Sequence, residues 1–441
     1  MSESEKHYKV KVGTKTQVIQ VDYLARVEGE GAFTVKIKDG KVEDVQLKIF
    51  EPPRFFEAFL RGRELFDAPD ITSRICGICP IAYQTSSVNA MENALQISIP
   101  DYLQDLRRLI YCGEWIESHA LHVFMLHAPD FLGYPDAIQM AKDHPKIVQK
   151  GLKLKKAGNR LIELLGGREI HPVNMKVGGF YRLPRKQELT GLTDCLKEAR
   201  DNALETVEWV NGFSFPQLEK NYECVSIVNT HRYPIEQGRI DSTSGLDILP
   251  KDFDSHFVEE QVPQSTALQV KMKNGKTYLT GPIARYNLNQ RTLSPLVQQT
   301  IQRIGFEEKC LNPFRSIIVR ALEILYACDE ALRLIDAYDA EKLPPCVDIP
   351  KQRSVGYGAS EAPRGLLLHR YHLNENGVIE EANIVPPTAQ NQKAIEEDLF
   401  DLVSKNLHLS DEELTWKCEM AIRNYDPCIS CSVHFLKLQR I

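Results

Sequence analysis

The chain lacks several features that mark large classes of protein. No stretch approaches the about 18 uninterrupted apolar residues of a membrane-spanning helix, since even the apolar run at 316–327 contains Arg320 and Glu323. Residues 1–7 are polar and charged, without the apolar segment of a secretory signal. The net charge of -6 gives no basic surplus that would favour nucleic acid or an anionic membrane surface. We therefore expect a cytoplasmic protein with no nucleic-acid partner and no membrane span.

A disulfide framework and an electron-carrying motif are also missing. The chain has 11 cysteines, an odd number, and those outside two close pairs stand singly: Cys112, Cys195, Cys224, Cys310, Cys328, Cys346 and Cys418. Such scattered cysteines suit free, mostly buried thiols in a reducing compartment. No further cysteine group has iron–sulfur spacing, and no G-x-G-x-x-G follows a predicted strand. Any redox function of this chain therefore requires a partner protein.

The remaining cysteines form two C-x-x-C pairs near opposite ends of the chain. Cys76 and Cys79 lie in R-I-C-G-I-C-P, and Cys428 and Cys431 lie in D-P-C-I-S-C-S-V-H. The two residues inside each pair allow a tight turn that points both thiolates to one side. Soft thiolates select transition metals over hard, oxygen-preferring ions. The pattern predicts a four-sulfur transition-metal site that joins the two ends of one large domain.

A structural zinc site is the simplest alternative. Zinc ribbons usually have about 15 to 20 residues between their pairs, whereas here most of the chain lies between them. Each pair is also followed by a polar side chain, Tyr83 and His434, and Asp426 precedes the second pair. These groups are more than a structural zinc requires, although spacing alone leaves zinc possible as an interpretation.

The flanking residues resemble the two metal-binding signatures of the large subunit of nickel–iron hydrogenases, most of all the cytoplasmic, reversible NAD(P)-linked class. Further matching stretches are R-V-E-G at 26–29, P-R-F-F-E at 53–57, E-A-P-R-G at 361–365 and P-T-A-Q-N at 387–391. The resemblance implies a catalytic subunit that reversibly splits H2 and passes electrons to an iron–sulfur small subunit. Flavin and iron–sulfur subunits would then carry the electrons to NAD(P).

A non-catalytic scaffold is a second alternative. The hydrogenase large subunit is related to a complex I subunit that helps to form a quinone pocket and has lost the metal-binding cysteines. Retention of all four cysteines and of Glu28 argues against that alternative.

The resemblance also assigns the metal ligands. Nickel would be bound by Cys76, Cys79, Cys428 and Cys431, and iron by the bridging Cys79 and Cys431 together with cyanide and carbon monoxide. Splitting hydrogen into hydride and proton requires a base beside the metals, and a terminal thiolate is basic enough to be protonated. Glu28 would relay the proton from Cys428, and Arg364 would lie above the metals.

A magnesium ion is implied as well. Glu57, His434 and the backbone carbonyl of Ile384 would be its protein ligands, although nitrogen is an unusual ligand for magnesium. Tyr83 stands where many relatives have a histidine. Ser118 aligns with a family aspartate, so one carboxylate above the metals would be missing.

Among the residues beside the metal ligands, Pro363 and Asp426 match the family. By the resemblance, residues 435–441 would form a maturation peptide removed after His434, and the alternative is a member of the family that keeps this tail.

The fold predicted is α+β, a mainly helical bundle with small peripheral antiparallel sheets in a single domain over 1–441. Strands are predicted at 32–38 and 42–49, joined by an Asp-Gly turn, and further hairpins at 268–279 and 369–384. Apolar periodicity predicts long helices at 101–127, 145–165, 187–209, 314–337 and 394–406.

Overall fold

The structure is a computed structural model that describes residues 16–51 and 55–433. The predicted maturation peptide and His434 lie outside this range. Its strands are β1 (Thr16–Val21), β2 (Gly31–Lys38), β3 (Lys41–Ile49), β4 (Met175–Lys176), β5 (Gly179–Phe180), β6 (Val225–Val228), β7 (Arg239–Ser242), β8 (Asp247–Ile248), β9 (Phe257–Gln261), β10 (Leu268–Met272), β11 (Ser354–Ala362), β12 (Gly365–Leu373) and β13 (Ile379–Val385).

The α-helices alternate with these strands along the chain. They are α1 (Phe56–Leu60), α2 (Ala68–Ser73), α3 (Pro80–Leu95), α4 (Asp101–Leu121), α5 (Ala128–Leu132), α6 (Ala137–Asp143), α7 (Pro145–Gly166), α8 (Lys186–Thr190), α9 (Thr193–Asn211), α10 (Phe253–His256), α11 (Pro282–Asn289), α12 (Pro295–Ile304), α13 (Ser316–Ala337), α14 (Pro387–Lys405), α15 (Asp411–Arg423) and α16 (Ile429–Ser432).

Long helices form the core, as predicted. α4 packs against α7 and α13, and α13 also packs against α9. α13 is buried along nearly its whole length, which matches a sequence rich in apolar residues, and it buries Arg320 and Glu323 as well. α4 continues into a π-helical segment, His122–His127, so the predicted helix at 101–127 changes its winding near its end. None of the helices in residues 16–51 and 55–433 is long and apolar enough to cross a membrane.

Small antiparallel sheets surround the helices, which confirms the α+β prediction. The sheet β1-β2-β3 contains the predicted Asp-Gly turn, where both Asp39 and Gly40 have positive φ. A second sheet, β11-β12-β13, contains the predicted hairpin at 369–384. The pairs in these sheets are antiparallel throughout.

Three predicted elements differ from the structure. The helix predicted at 187–209 is broken between α8 and α9, where Gly191, a poor helix former, ends α8. The helix predicted to begin at 394 begins at Pro387, because proline is favoured in the first helical turn. The predicted hairpin at 268–279 is wrong: β10 pairs with β9, and Leu279 bonds instead to residues 223 and 225.

A close contact between α3 and β11 connects the first cysteine pair with the chain leading to Arg364. α3 begins directly after Cys79, and β11 ends two residues before Arg364. A Cβ at Gly358 would lie 2.3 Å from the Ser86 carbonyl oxygen on α3. Glycine at this position therefore allows the strand backbone to lie directly on the helix.

Candidate metal centre

The fold brings the two cysteine pairs into one buried cluster. The four sulfur atoms lie within 4.8 Å of one another; they belong to Cys76, Cys79, Cys428 and Cys431. The Sγ atoms of Cys76 and Cys428, which come from opposite ends of the chain, are 3.6 Å apart. Four sulfurs at this spacing can surround a soft metal ion, so the donor set fits the predicted transition-metal site.

The first cysteine loop is fixed by backbone donors and the start of α3. The Sγ atom of Cys76 accepts hydrogen bonds from the backbone N–H groups of Ile78 and Cys79, both at 3.3 Å. Glu114 on α4 accepts from the N–H groups of Ile81 at 2.6 Å and Ala82 at 3.1 Å, in the first turn of α3. A buried carboxylate thus caps the helix that carries Cys79.

The second cysteine loop is fixed by residues distant in sequence. Glu28 forms a parallel bridge with Cys428, and its carbonyl accepts from the N–H of Ile429 at 2.9 Å. The N–H of Cys428 donates to Oγ1 of Thr388 on α14 at 3.0 Å. The cysteines therefore reach a common site only when the first and last parts of the chain have come together.

Glu28 lies beside the second loop with its carboxylate aimed at a cysteine sulfur. Its Oε2 atom is 3.1 Å from Sγ of Cys428 and also accepts from the N–H of Ser430 at 3.1 Å. The hydroxyl of Ser430 in turn donates to the Glu51 carboxylate at 2.8 Å. The Glu28 carboxylate therefore contacts the Cys428 sulfur and the backbone of Ser430, while the hydroxyl of Ser430 contacts half-buried Glu51.

Arg364 lies on the tight turn between β11 and β12, buried beside Asp426. Its Nε donates to the Asp426 carbonyl at 2.7 Å, and its Nη2 contacts the Asp426 carboxylate at 3.3 Å. Burial opposes the positive charge, but Asp426 and the nearby cysteines outweigh it and raise the pKa of Arg364. Its buried Nη1 has no hydrogen-bond partner within the described residues. Asp426 itself adopts a φ of 50°, a left-handed conformation that redirects the chain just before Cys428.

The cysteine thiols perturb one another strongly. Hydrogen bonds from the other thiols, that of Cys428 first, lower the pKa of Cys76 well below its usual value. Burial raises the pKa of Cys428. A cluster that stabilises some of its thiolates beside protonated thiols is poised to exchange protons for a metal ion.

Tyr83 and Ser118 occupy the two positions where the sequence departs from the hydrogenase pattern. Both are buried, and neither hydroxyl has a hydrogen-bond partner in the part of the chain that the structure describes. Burial and the charges of the cysteines raise the pKa of Tyr83. Next to Ser118, Glu117 pairs with Lys155 at 2.6 Å, and burial raises its pKa to about 7.

The residues predicted to bind magnesium are only partly described. Glu57 on α1 accepts a hydrogen bond from the N–H of Ile384 on β13 at 2.7 Å. The structure therefore brings Glu57 and the backbone of Ile384 together. His434 is outside the described residues.

Several residues of this site were not predicted from the sequence, among them Glu114, Glu51 and Arg285. Glu114 appears as one of several acids on a long helix, Glu51 lacks a distinctive motif, and Arg285 lies in the middle of the chain, where little resemblance was found. Arg285 donates to the carbonyl of Pro363 at 2.9 Å. Only their contacts in the folded chain distinguish these residues from ordinary charged side chains.

Comparisons with known proteins agree with this geometry. The family described as nickel-dependent hydrogenase matches residues 54–152 and 272–434, which include both cysteine pairs. The chain is 35% identical to the alpha subunit of sulfhydrogenase 2 of Pyrococcus furiosus, over 96% of this chain and 100% of that one. It is 30% identical to a subunit of the F420-non-reducing hydrogenase of Methanothermobacter thermautotrophicus, over 96% of this chain and 95% of that one.

A solved structure is similar over almost the same length. The chain matches a crystal structure of an NAD+-reducing NiFe hydrogenase in the H2-reduced state with a TM-score of 0.86 and 26% identity. The match covers 96% of this chain and 100% of that one. From the family match, the similar sequences and the clustered cysteines, we conclude that this chain is a large subunit of the nickel-dependent hydrogenase family.

Proposed function

We propose that this chain is the catalytic subunit that reversibly splits H2 at a nickel–iron centre held by Cys76, Cys79, Cys428 and Cys431. The observation that carries the proposal is the convergence of four buried sulfurs with a carboxylate 3.1 Å from one of them. A structural zinc site needs the sulfurs but has no use for the acid. The proposal includes the single-domain organisation over residues 1–441.

The cysteines would divide into terminal and bridging metal ligands. All four would hold nickel, and Cys79 and Cys431 would also hold iron, whose remaining ligands would be cyanide and carbon monoxide. When bound, this centre supplies the redox chemistry that cleaves H2. The protein surrounds the centre with buried side chains, which excludes bulk water from the sulfurs.

Glu28 is the proposed proton acceptor. A proton held on Sγ of Cys428 can pass to Oε2 of Glu28, because the two atoms are within hydrogen-bonding distance for sulfur. The Ser430 N–H holds this carboxylate oxygen in place. We propose that the proton then continues by way of the Ser430 hydroxyl and the half-buried Glu51 carboxylate, which are hydrogen-bonded to each other.

Arg364 is proposed to act beside the cysteine cluster. Asp426 fixes the guanidinium through its carbonyl and carboxylate, while Nη1 remains available as a charged donor in a buried site. Such a preorganised donor suits an anionic cyanide ligand or the charge that develops as H2 is split. Asp426 would orient the arginine, and Tyr83 and Pro363 would complete the surroundings of the metals.

Magnesium is proposed to bind near Glu57, with His434 and the backbone of Ile384. A carboxylate oxygen is a suitable ligand for this hard ion. The hydrogen bond between Glu57 and Ile384 supports their proximity.

Electrons would leave to an iron–sulfur small subunit, from which they would continue through flavin and iron–sulfur subunits to NAD(P) in the cytoplasm. The relatives support this proposal, because one is the alpha subunit of a sulfhydrogenase and one is an NAD+-reducing hydrogenase. The lack of a further iron–sulfur cysteine pattern in this chain is consistent with a separate electron carrier.

Metal analysis of the purified holoenzyme, combined with H2–D2O exchange, tests the proposal. We expect nickel and iron in about equal amounts, near one of each per chain, with exchange activity that tracks nickel content. Zinc alone would support a structural site, and absence of metal would support a scaffold. Either result without exchange activity would contradict the proposed function.

A further inference from the structure

The turn that carries Arg364 is short, so its backbone position decides where the guanidinium points. Ala362 pairs with Gly365 across the turn, and only Pro363 and Arg364 lie between them. The Arg364 side chain is buried and directed at Asp426. A small displacement of the turn would therefore move the guanidinium relative to the sulfurs.

A second arginine, Arg285 on α11, holds the carbonyl groups of this turn. Its Nη1 donates to the Ala362 carbonyl at 2.8 Å, and its Nη2 donates to the Pro363 carbonyl at 2.9 Å. Nη1 also contacts the Glu361 carboxylate at 3.0 Å. One planar guanidinium thus binds three consecutive residues that immediately precede Arg364.

Arg285 is itself fixed from the opposite side. Glu323 on α13 accepts from its Nε at 2.8 Å and from its Nη2 at 2.7 Å. The Tyr233 hydroxyl donates to Glu323 at 2.8 Å, and the Trp115 ring lies 4.6 Å from the guanidinium. Burial opposes the negative charge of Glu323, but Arg285 lowers its pKa to about 2, so the pair is ionised. Because both hydrogen bonds to Glu323 are buried and bidentate, the Arg285 guanidinium has little freedom to rotate.

The beginning of α11 touches the turn as well. Gly281, which precedes the helix, has a φ of 110°, and a Cβ there would lie 2.7 Å from the Arg364 carbonyl oxygen. The adjacent Thr280 hydroxyl accepts from the N–H of Leu366 at 2.9 Å. The same helix therefore meets the turn through both its backbone and Arg285.

We propose that Arg285 is a positioning residue for Arg364, an inference that rests on the proposed function of Arg364. Arg285 connects the rigid helix α13, through Glu323, to the backbone of the turn. A lysine at this position would keep the charge, but its compact ammonium cannot bind two carbonyls and two carboxylates in a single plane. The guanidinium shape, and not the charge alone, holds the turn in place.

The test compares Arg285→Lys with a matched control, Arg108→Lys, in the purified holoenzyme. Arg108 is equally buried and binds two glutamates, Glu236 and Glu330, both at 2.6 Å, but donates to the Tyr233 carbonyl rather than to the turn. Both variants leave a lysine among buried acids. Only Arg285→Lys removes the contacts to residues 361–363.

Backbone amide exchange over residues 362–366 gives a readout independent of hydrogen chemistry. The Glu361 N–H is left out because it donates to Ile235, which lies beside the Arg108 contacts. We expect exchange there to accelerate about tenfold in Arg285→Lys and to remain as in the unmodified protein in Arg108→Lys. H2–D2O exchange per nickel should fall about tenfold only in Arg285→Lys. Combining Arg285→Lys with Arg364→Lys should cause no further loss beyond that of Arg364→Lys, because Arg285 acts through Arg364.

Unchanged amide exchange at the turn in Arg285→Lys would overturn the inference, and so would additive losses in the double variant. If Arg285→Lys does not fold, the double variant Arg285→Gln, Glu323→Gln removes the guanidinium together with the carboxylate that binds it on both Nε and Nη2, and the same criteria apply. An unmodified protein without H2–D2O exchange would refute the proposed function. The amide measurement would still decide whether Arg285 holds the turn.

Discussion

The two cysteine loops contribute the same donors to the cluster but are built differently. Around Cys76 and Cys79 the contacts are neutral backbone N–H groups, with Glu114 bound to the first turn of α3. Around Cys428 the neighbours are charged. Asp426 lies two residues before it, whereas Glu28 and Arg364 come from distant parts of the chain. The first loop is an extension of a packed helix, whereas the second forms only when the two ends of the chain meet.

This difference suggests that the two loops have different roles in the site. Backbone N–H groups stabilise a thiolate without being able to accept its proton, so the first loop is suited to hold metal. The second loop has a carboxylate within hydrogen-bonding distance and a fixed arginine, so it is suited to acid–base and electrostatic chemistry. Variants of the first loop should therefore change metal retention, and variants around the second should change turnover.

The largest effect should come from replacing the bridging cysteine of either loop, because this ligand is needed equally in both. We expect both Cys79→Ser and Cys431→Ser to abolish metal retention and hydrogen activity, because a harder oxygen ligand cannot bridge two soft metals. Metal content and H2 oxidation measure this, with Cys112→Ser as a control at a buried cysteine outside the cluster. Substantial activity in either bridging variant would end the bimetallic interpretation.

Arg364→Lys should give the next largest effect and should act on turnover alone. The charge remains, but the planar fork that Asp426 orients is lost, so activity should fall about a hundredfold, or about 3 kcal/mol in the activation barrier. Nickel content should stay near that of the unmodified protein, which metal analysis checks alongside the rate. A near-normal rate would make Arg364 a structural residue and remove one difference between the loops.

Glu114→Gln should have the smallest effect on turnover, and its structural effect should be confined to the first loop. An amide oxygen can still accept from one N–H of the α3 turn, but the carboxylate that serves both Ile81 and Ala82 is lost. We expect a loss of stability of about 1–3 kcal/mol and less nickel per chain. Exchange activity per bound nickel should be unchanged.

Thr388→Val provides the matched change at the second loop, since it removes the acceptor for the Cys428 N–H. If Glu114→Gln lowers the rate per nickel while Thr388→Val does not, the proposed division between the loops is wrong.

Much of the site could be predicted because its ligands are local motifs. The C-x-x-C spacing identifies the sulfurs, and R-V-E-G and E-A-P-R-G identify Glu28 and Arg364 by resemblance. What supports these groups could not be predicted in the same way. Arg285 and Glu114 act through backbone groups of residues far away in sequence, and no periodicity or spacing reveals such contacts.

Prediction of the fold from the sequence was limited in the same way. Helices with strong apolar periodicity, such as α7 and α13, appear where predicted, because burial of one face or of all faces is visible in the sequence. Strand pairing is less visible. β10 is followed by a good turn signal at Gly275, yet it pairs with the preceding β9, because the residues after the turn bond to the segment around Val225.

The most direct test of the account is hydrogen–deuterium exchange between H2 and D2O in Glu28→Gln. Glutamine keeps the size of the side chain and can still contact Cys428 and Ser430, but it cannot carry a proton. Glu30→Gln, at an exposed glutamate two residues away, is the control. We predict that Glu28→Gln retains nickel and iron while exchange drops sharply, and that Glu30→Gln behaves like the unmodified protein. Undiminished exchange in Glu28→Gln with full metal content would contradict the assignment of Glu28 as the proton acceptor of Cys428.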